Sequence, residues 1–228
     1  TWKKVNGSEL TFTGNWTEDA NPDFHEGDAH YSNDPEAAAE FTFTGTAFRW
    51  YGQNELNFKY GKIYVDDKYV AISNAYGTPA VGQMIVEVTG LEHKAHTVKI
   101  YPYGPQEDAN NTIDIDYIEY SADAANASIA ATSILAAEEY ADLSELTIKA
   151  DKAKVLAVFA KNGDKFVAKD ITYTVADSSV ASVNEVTDGL SIKALKAGET
   201  TLTLNVGNVK KVVTIKVNDG SLPQKRME

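Results

Sequence analysis

Residues 40–67, EFTFTGTAFRWYGQNELNFKYGKIYVDD, decide the fold of the first half of the chain. Phe41 and Phe43 alternate with threonines, as the buried face of a strand does, and Phe48 and Trp50 alternate on the opposite parity. A residue must be added between the two pairs. Gly45, inside TGT, is the place for a bulge or corner, because glycine takes the backbone angles such a break needs. With Phe48 and Trp50 inward, Arg49 and Tyr51 point outward, and Trp50 reads as core. The next strand, residues 62–65, buries Ile63 and Val65 and leaves residues 52–60 as a long connection carrying Gln53, Asn54, Asn57, Phe58, Lys59 and Tyr60. Long ordered loops on rigid sheets are where function concentrates.

Working outward, 228 residues with 43% hydrophobic content can build one large or two modest cores. The chain has no cysteine, so disulfides, a thiol nucleophile and a cysteine-rich zinc site are excluded. No apolar run approaches a membrane span, and the opening TWKKVNGSEL lacks an apolar signal core. The chain is either a cytoplasmic protein or a segment of a longer, exported one. The net charge of −12 is lopsided: residues 1–122 carry 8 Lys/Arg against 19 Asp/Glu (−11), and residues 123–228 carry 13 against 14 (−1). An acidic first half argues against nucleic acid and anionic membrane as partners. All three Trp, 10 of 12 Tyr and 6 of 8 Phe also precede residue 123, so the two halves are built for different work.

Residues 1–120 divide into short strands separated by turn signals: ELTFTG, EFTFTG, AFRWYG, KIYVDD, KYVAIS, MIVEVTG, HTVKIYPYG and TIDIDYIEY. That spacing predicts an antiparallel sandwich over residues 1–122. Residues 123–143 are alanine-rich and predict a linker with one short helix, residues 133–143, capped by Ser133. Strands resume at Glu145 and predict a second, smaller sandwich over residues 144–218, with residues 219–228 as a tail or the start of another linker. The expected fold class is all-β, two β-sandwich domains joined by the Ala-rich segment.

Residues 171–217, ITYTVADSSVASVNEVTDGLSIKALKAGETTLTLNVGNVKKVVTIKV, closely resemble the bacterial Ig-like domain, group 2. Val180, Ala181, Val183, Gly189, Ala194, Gly198 and Thr200 fit that pattern, where they serve packing and turns. The resemblance implies a spacer in a modular, extracellular bacterial protein. FTGNW (12–16), AHYSN (29–33), FTFTGTAFRWYG (41–52), GKIYVDD (61–67), GLEHKAHTVKI (90–100) and IDIDYIEY (113–120) resemble, less tightly, the jelly-roll carbohydrate-binding modules of the galactose-binding-like type, families 6 and 35. What that resemblance implies is a fold and a general role, glycan binding.

A sugar ring presents an apolar C–H face and a rim of hydroxyls, so its site needs an aromatic platform and amide or charged groups within reach. The 51–60 loop holds that inventory: Tyr51 and Tyr60 as platforms, Gln53, Asn54 and Lys59 as polar partners. The plainer reading tucks Phe58 and Tyr60 under the loop. PDFHEGDAHYSND (22–34) offers His25, Asp28, His30 and Tyr31 to the same rim, and YPYGPQEDANNT offers Tyr103, Gln106, Asn110 and Asn111. In the resembled modules an asparagine of that last loop contacts sugar, which implicates Asn110 or Asn111 unless they only form a turn. Trp16 is scaffold or platform. His25, Asp28 and His30, and His93 and His96, match no zinc spacing, and His96 reads as structural. The resemblance implies a structural calcium, with Glu9 and Asp116 as its candidate ligands and no other cofactor.

Catalysis is the rival class. Asp114 and Asp116 sit two apart on one strand, whereas glycoside hydrolysis needs carboxylates flanking a cleft, and no G-x-S-x-G elbow, phosphate loop or zinc-protease motif occurs. The sequons at Asn6, Asn15, Asn110 and Asn126 are coincidental in a bacterial chain. The expectation is a non-catalytic, monomeric, secreted or cell-surface module of a larger bacterial protein. It binds a neutral poly- or oligosaccharide, α-glucan such as starch first, with galactan, xylan and host mucin glycans open, and does not insert into membranes. The alternative is a protein-binding adhesin or structural surface module.

Overall fold

The computed structural model describes residues 1–104 and 111–220, and the chain is nearly all β. It divides into two compact units, one of residues 1–132 with Phe159–Lys169, the other of Ser133–Val158 with residues from Asp170 onward. The first unit contains β1 (Trp2–Asn6), β2 (Thr11–Thr13), β3 (Thr17–Ala20), β4 (Asp28–Ser32), β5 (Ala38–Gly45), β6 (Ala47–Asn54), β7 (Tyr60–Val65), β8 (Lys68–Asn74), β9 (Ala80–Thr89), β10 (Lys94–Tyr103), β11 (Ile113–Ile115) and β12 (Tyr117–Ser121). One sheet runs β2-β5-β10-β7-β8, a second contains β1-β12-β6-β9, and a three-stranded piece runs β11-β4-β3.

Register explains the alternation. In the first sheet Phe41, Val98 and Val65 lie opposite one another across β5, β10 and β7. In the second, Ile118, Trp50 and Val86 form the matching row. All six are buried, and Phe41, Phe43 and Phe48 meet edge-on or tilted at 5.6–6.0 Å between centroids. The residue between the two parities is a corner at which the chain leaves one sheet for the other: Thr46 N–H donates to the Ser121 carbonyl at 2.8 Å. A side chain on Gly45 would place its Cβ 2.5 Å from that same oxygen, so only glycine fits. β6 continues through Asn54 by bulged pairing with β9, so the connection to β7 is residues 55–59, shorter than the 52–60 expected.

The alanine-rich segment also differs from expectation. Its helix is α1 (Ala124–Ala127), capped by the Asp123 carboxylate on the Ala125 N–H at 3.0 Å, and residues 133–137 are a strand, β13 (Ser133–Ala137). Burial of Ile134, Ala136 and Ala137 outweighs alanine's helix propensity there. The expected boundary moves too. The end of β15 (Ala153–Asn162) and β16 (Lys165–Val167) belong to the first unit, where β16 pairs in parallel with β9, Phe166 opposite Val88. Phe159 packs edge-on against Tyr69 at 4.9 Å and Phe166 at 5.7 Å. An otherwise open sheet edge is thereby covered.

The second unit begins with β13 and has one sheet of β14 (Glu145–Lys149), β21 (Val209–Asn218), β20 (Gly198–Val206) and β17 (Thr172–Val175), with β14 parallel to β21. The start of β15 pairs with β19 (Gly189–Ala194), which pairs with β18 (Ala181–Val186). Leu146, Ile148, Leu156, Ile192, Leu202, Leu204, Val213 and Ile215 are among its buried residues and come from both sheets.

All three tryptophans lie in the first unit, so their fluorescence follows that unit alone. Phe159→Ala is expected to destabilise the tryptophan-detected transition by about 3 kcal/mol, the usual cost of emptying a buried phenylalanine site. Denaturant unfolding checks it; an unshifted tryptophan transition would mean that Phe159 supports only the second unit.

Candidate functional site

At one end of the first unit, three connections are woven together by backbone bonds. Glu55 N–H donates to the Ala75 carbonyl at 3.1 Å, Ala75 N–H to Lys59 at 2.9 Å, Gly77 N–H to Glu55 at 3.2 Å, and Lys59 N–H to Thr112 at 3.2 Å. The result is a rim built from residues 55–59, 75–79 and 111–112. Leu56 (63% exposed) and Tyr76 (59%) are its protruding apolar side chains. Beside them Glu55, which bridges Tyr76, is held by Gln53 Nε2 donating to its Oε1 and the Leu56 N–H to its Oε2, both at 3.2 Å, while the Asn54 side chain lies against Gly77. Asn74 Oδ1 accepts the Tyr76 N–H at 2.9 Å and fixes that turn. The rim therefore offers an exposed aromatic and aliphatic pair beside a carboxylate and two amides, on a backbone held by hydrogen bonds.

Of the residues expected at such a site, Gln53, Asn54 and Lys59 are on this rim. Tyr60 and Tyr103 stand at its edge on β7 and β10, 6.3 Å apart, with Lys62 Nζ 4.4 Å over the Tyr103 ring. Asn111 closes over Gly104, and Asn110 lies outside the described residues. Phe58 is buried under the loop, as the plainer reading had it. Tyr51 is elsewhere: it stacks on Tyr117 at 4.5 Å on the outer face of β6 and β12, so it is no free platform. Burial, then the Glu119 carboxylate, push the Tyr51 phenol up against the opposing Arg49 guanidinium, and burial followed by Tyr51 and Glu119 pushes Tyr117 up to about 12. Tyr31 is 38% exposed on β4, whereas His30 stacks on Phe12 at 4.3 Å and packs as scaffold. Trp16 donates to the Thr13 carbonyl at 3.0 Å, and Trp50 is fully buried. His96 is buried between Asp66 Oδ2 (2.7 Å) and the Glu92 carbonyl (2.8 Å), the structural role expected of it. Sequence reasoning missed Tyr76 and Leu56; an isolated tyrosine inside the turn run SNAYGTP was the available signal.

A second cluster lies inside the fold, where β11 leaves β12. Gly7 N–H donates to the Asp116 carbonyl at 2.9 Å, and Asp116 Oδ1 accepts the His25 N–H at 2.9 Å. Glu9 Oε2 accepts the Asn6 N–H at 2.8 Å, and the Asn6 amide reaches Asp28 Oδ1 at 3.3 Å. Asn6 Oδ1 and His30 Nδ1 are buried with no hydrogen-bond partner, which leaves an amide oxygen unsatisfied among these carboxylates. Such a set suits a hard cation in its chemistry, although among the described residues no three His, Asp or Glu groups converge as a metal cluster. Asp114 is 3% exposed, and its Oδ1 is likewise unpartnered. Burial, then the Asp116 and Asp19 charges, raise Asp114 to about 7; burial, then Asp28, raise Asp116 to about 6 against the opposing His25 and Lys4.

No family model matches the chain. Over 113 residues, 50% of the chain, it is 42% identical to the "A type blood N-acetyl-alpha-D-galactosamine deacetylase" of Flavonifractor plautii, covering 14% of that protein. Over 117 residues, 51% of the chain, it is 37% identical to the "A type blood alpha-D-galactosamine galactosaminidase" of the same organism, covering 10%. The chain thus spans a small fraction of the length of the curated relatives it matches. Among solved structures, a carbohydrate-binding module, CBM36, in complex with calcium and xylotriose superposes with a TM-score of 0.38 at 15% identity, over 52% of this chain and 99% of that one.

An acid whose folded pKa lies above its unfolded value of about 4 holds its proton more tightly when folded. Its favourable contribution is complete below about 4 and is lost as pH rises through the folded value, about 7 for Asp114. In chelator-treated protein, Asp114→Asn is therefore expected to gain stability relative to the parent as pH rises from about 4 to about 7, then to plateau. Unfolding midpoints across that range check it; a pH-independent gap would mean Asp114 titrates as an ordinary surface acid.

Proposed function

We propose that the first unit is a non-catalytic carbohydrate-binding module whose ligand is a glycan ending in a galactose-configured amino sugar, free or N-acetylated. The observation that carries this is the rim: Tyr76 and Leu56 stand exposed beside Gln53, Asn54 and Glu55 on a backbone tied by four cross-loop hydrogen bonds. A tyrosine face takes the C–H side of a pyranose, and the amides and carboxylate take its hydroxyls. Both curated relatives are named for galactosamine substrates, which supports an aminogalactose over the α-glucan expected from sequence. Asp114 and Asp116 are both buried, whereas glycoside hydrolysis needs carboxylates open to the substrate, which supports binding over hydrolysis.

The second unit fits a group 2 Ig-like spacer, and the much greater length of the relatives fits a module of a large, secreted or cell-surface bacterial protein. A single shallow rim gives weak binding, with avidity supplied by neighbouring modules. The acceptor cluster would hold calcium through Asn6, Glu9, Asp28 and Asp116, of which Asn6 and Asp116 are buried, the ion supplying the positive charge that those oxygens lack.

Calorimetric titration of the whole chain with N-acetylgalactosamine, galactosamine and maltoheptaose tests the ligand. Binding of the amino sugars is expected, lost in Tyr76→Ala and kept in Tyr51→Ala; binding of maltoheptaose alone would restore the starch reading. Millimolar calcium is expected to raise the tryptophan-detected melting temperature, and Asp116→Asn to abolish that rise. No calcium response in the parent would remove the ion from the account.

A further inference from the structure

We infer that the rim distinguishes the free amine of an amino sugar from its acetamide, with Glu55 as the group that selects the ammonium. The inference rests on the carbohydrate-binding reading above and narrows its ligand. Glu55 is half-buried, next to Leu56 in sequence and bridged through its backbone to Tyr76, the two most exposed apolar side chains among the described residues of the first unit. Each of its carboxylate oxygens accepts one hydrogen bond from a neutral donor, Gln53 Nε2 and the Leu56 N–H. Those bonds, and the backbone ties of Glu55 to Ala75 and Gly77, fix the carboxylate in place before any ligand arrives.

Among the described residues Glu55 takes part in no ion pair. Arg49, by contrast, is held by Glu87 and Glu119, and Lys165 also reaches Glu87. Glu55 is thus a positioned anion whose oxygens each retain a lone pair, in a segment whose residues 1–122 carry a net charge of −11. The best complement is a cation with several N–H donors. A protonated 2-amino group supplies that; an acetamide supplies one neutral N–H and a methyl group. With the sugar ring on Tyr76, the ammonium also lies near an aromatic face, which favours it further. The acidic field of the unit raises the local concentration of a cationic sugar and repels a uronate.

The test is calorimetric titration of the full chain with methyl galactosaminide, its N-acetyl derivative and methyl galactoside at about pH 6, in low and high salt. The amine is expected to bind about threefold to tenfold more tightly than the acetamide, the range that one partly screened ion pair with an aromatic neighbour supplies. Salt is expected to shrink the preference, and Glu55→Gln to bring the two ligands to equal affinity, with unchanged thermal unfolding as the check on folding. Equal or tighter binding of the acetamide by the parent, or a preference that survives Glu55→Gln, overturns the inference; if Tyr76→Ala still abolishes binding, the carbohydrate reading stands without it. Silence toward all three sugars overturns that reading itself.

Discussion

The first unit depends on how Trp50 is buried. Its ring fills the space between the two sheets, its Nε1–H donates to the Asp114 carbonyl at 3.0 Å, and it packs so closely on β7 that a Cβ on Gly61 would lie 3.1 Å from it. One side chain thereby ties β6 to β7 across the sandwich and to β11 at its end. A buried indole N–H without an acceptor would cost about 1–3 kcal/mol, so the fold must bring a carbonyl to it. The carbonyl it brings is that of Asp114, and β11 is consequently held against the last residues of β6 instead of continuing the ladder of β12.

Both site features follow from that placement. Because β11 lies beside Gly52 and Gln53, the Asp114 carboxyl is sealed from water, and that burial raises its pKa against the lowering effect of the hydrogen bond it accepts from the Gln53 backbone. Because β11 starts there, Thr112 is positioned to accept the Lys59 N–H and to bridge Phe58, and the short loop between β6 and β7 is pinned at both flanks. A loop so pinned can leave Leu56 and Tyr76 in water without collapsing onto them. Exposed apolar side chains are unremarkable singly; a pair fixed beside a bound carboxylate is a site in its geometry.

Much of the scaffold was legible because period-2 alternation reports burial directly. Phe41, Phe43, Phe48 and Trp50 face inward as their parity demands, the break between them lies at Gly45 and Thr46, and His96 is the buried residue its place at a strand start suggested. Parity fails at the next question, which neighbour an outward residue meets. Tyr51 is outward, yet the register Tyr51 opposite Tyr117 gives it an aromatic partner on the adjacent strand, and no local pattern announces that pairing. Tyr76 is hidden for the converse reason: its turn composition suggests connection only, and what places it at the rim is its bridge to Glu55, 21 residues earlier in sequence. The inclusion of Phe159–Lys169 in the first unit is equally non-local, since β16 has the composition of any short strand and is identified only by its pairing with β9.

The acidic charge of the first half likewise separates into two populations once burial is known. Asp114 and Asp116 lie inside, where charging is opposed by burial and by a neighbouring carboxylate, Asp116 for Asp114 and Asp28 for Asp116, so they contribute little to attraction at the surface and much to the sensitivity of the fold to protons or cations. Glu55 lies at the rim, held by neutral donors and paired to no cation among the described residues, and so presents both carboxylate oxygens to whatever approaches. A sequence shows only the sum, −11, from which a neutral ligand is a reasonable expectation. The distribution is more specific: the inner acids place their carboxyls at the strand crossing, away from any ligand, and the rim acid places its carboxylate where a ligand would meet it.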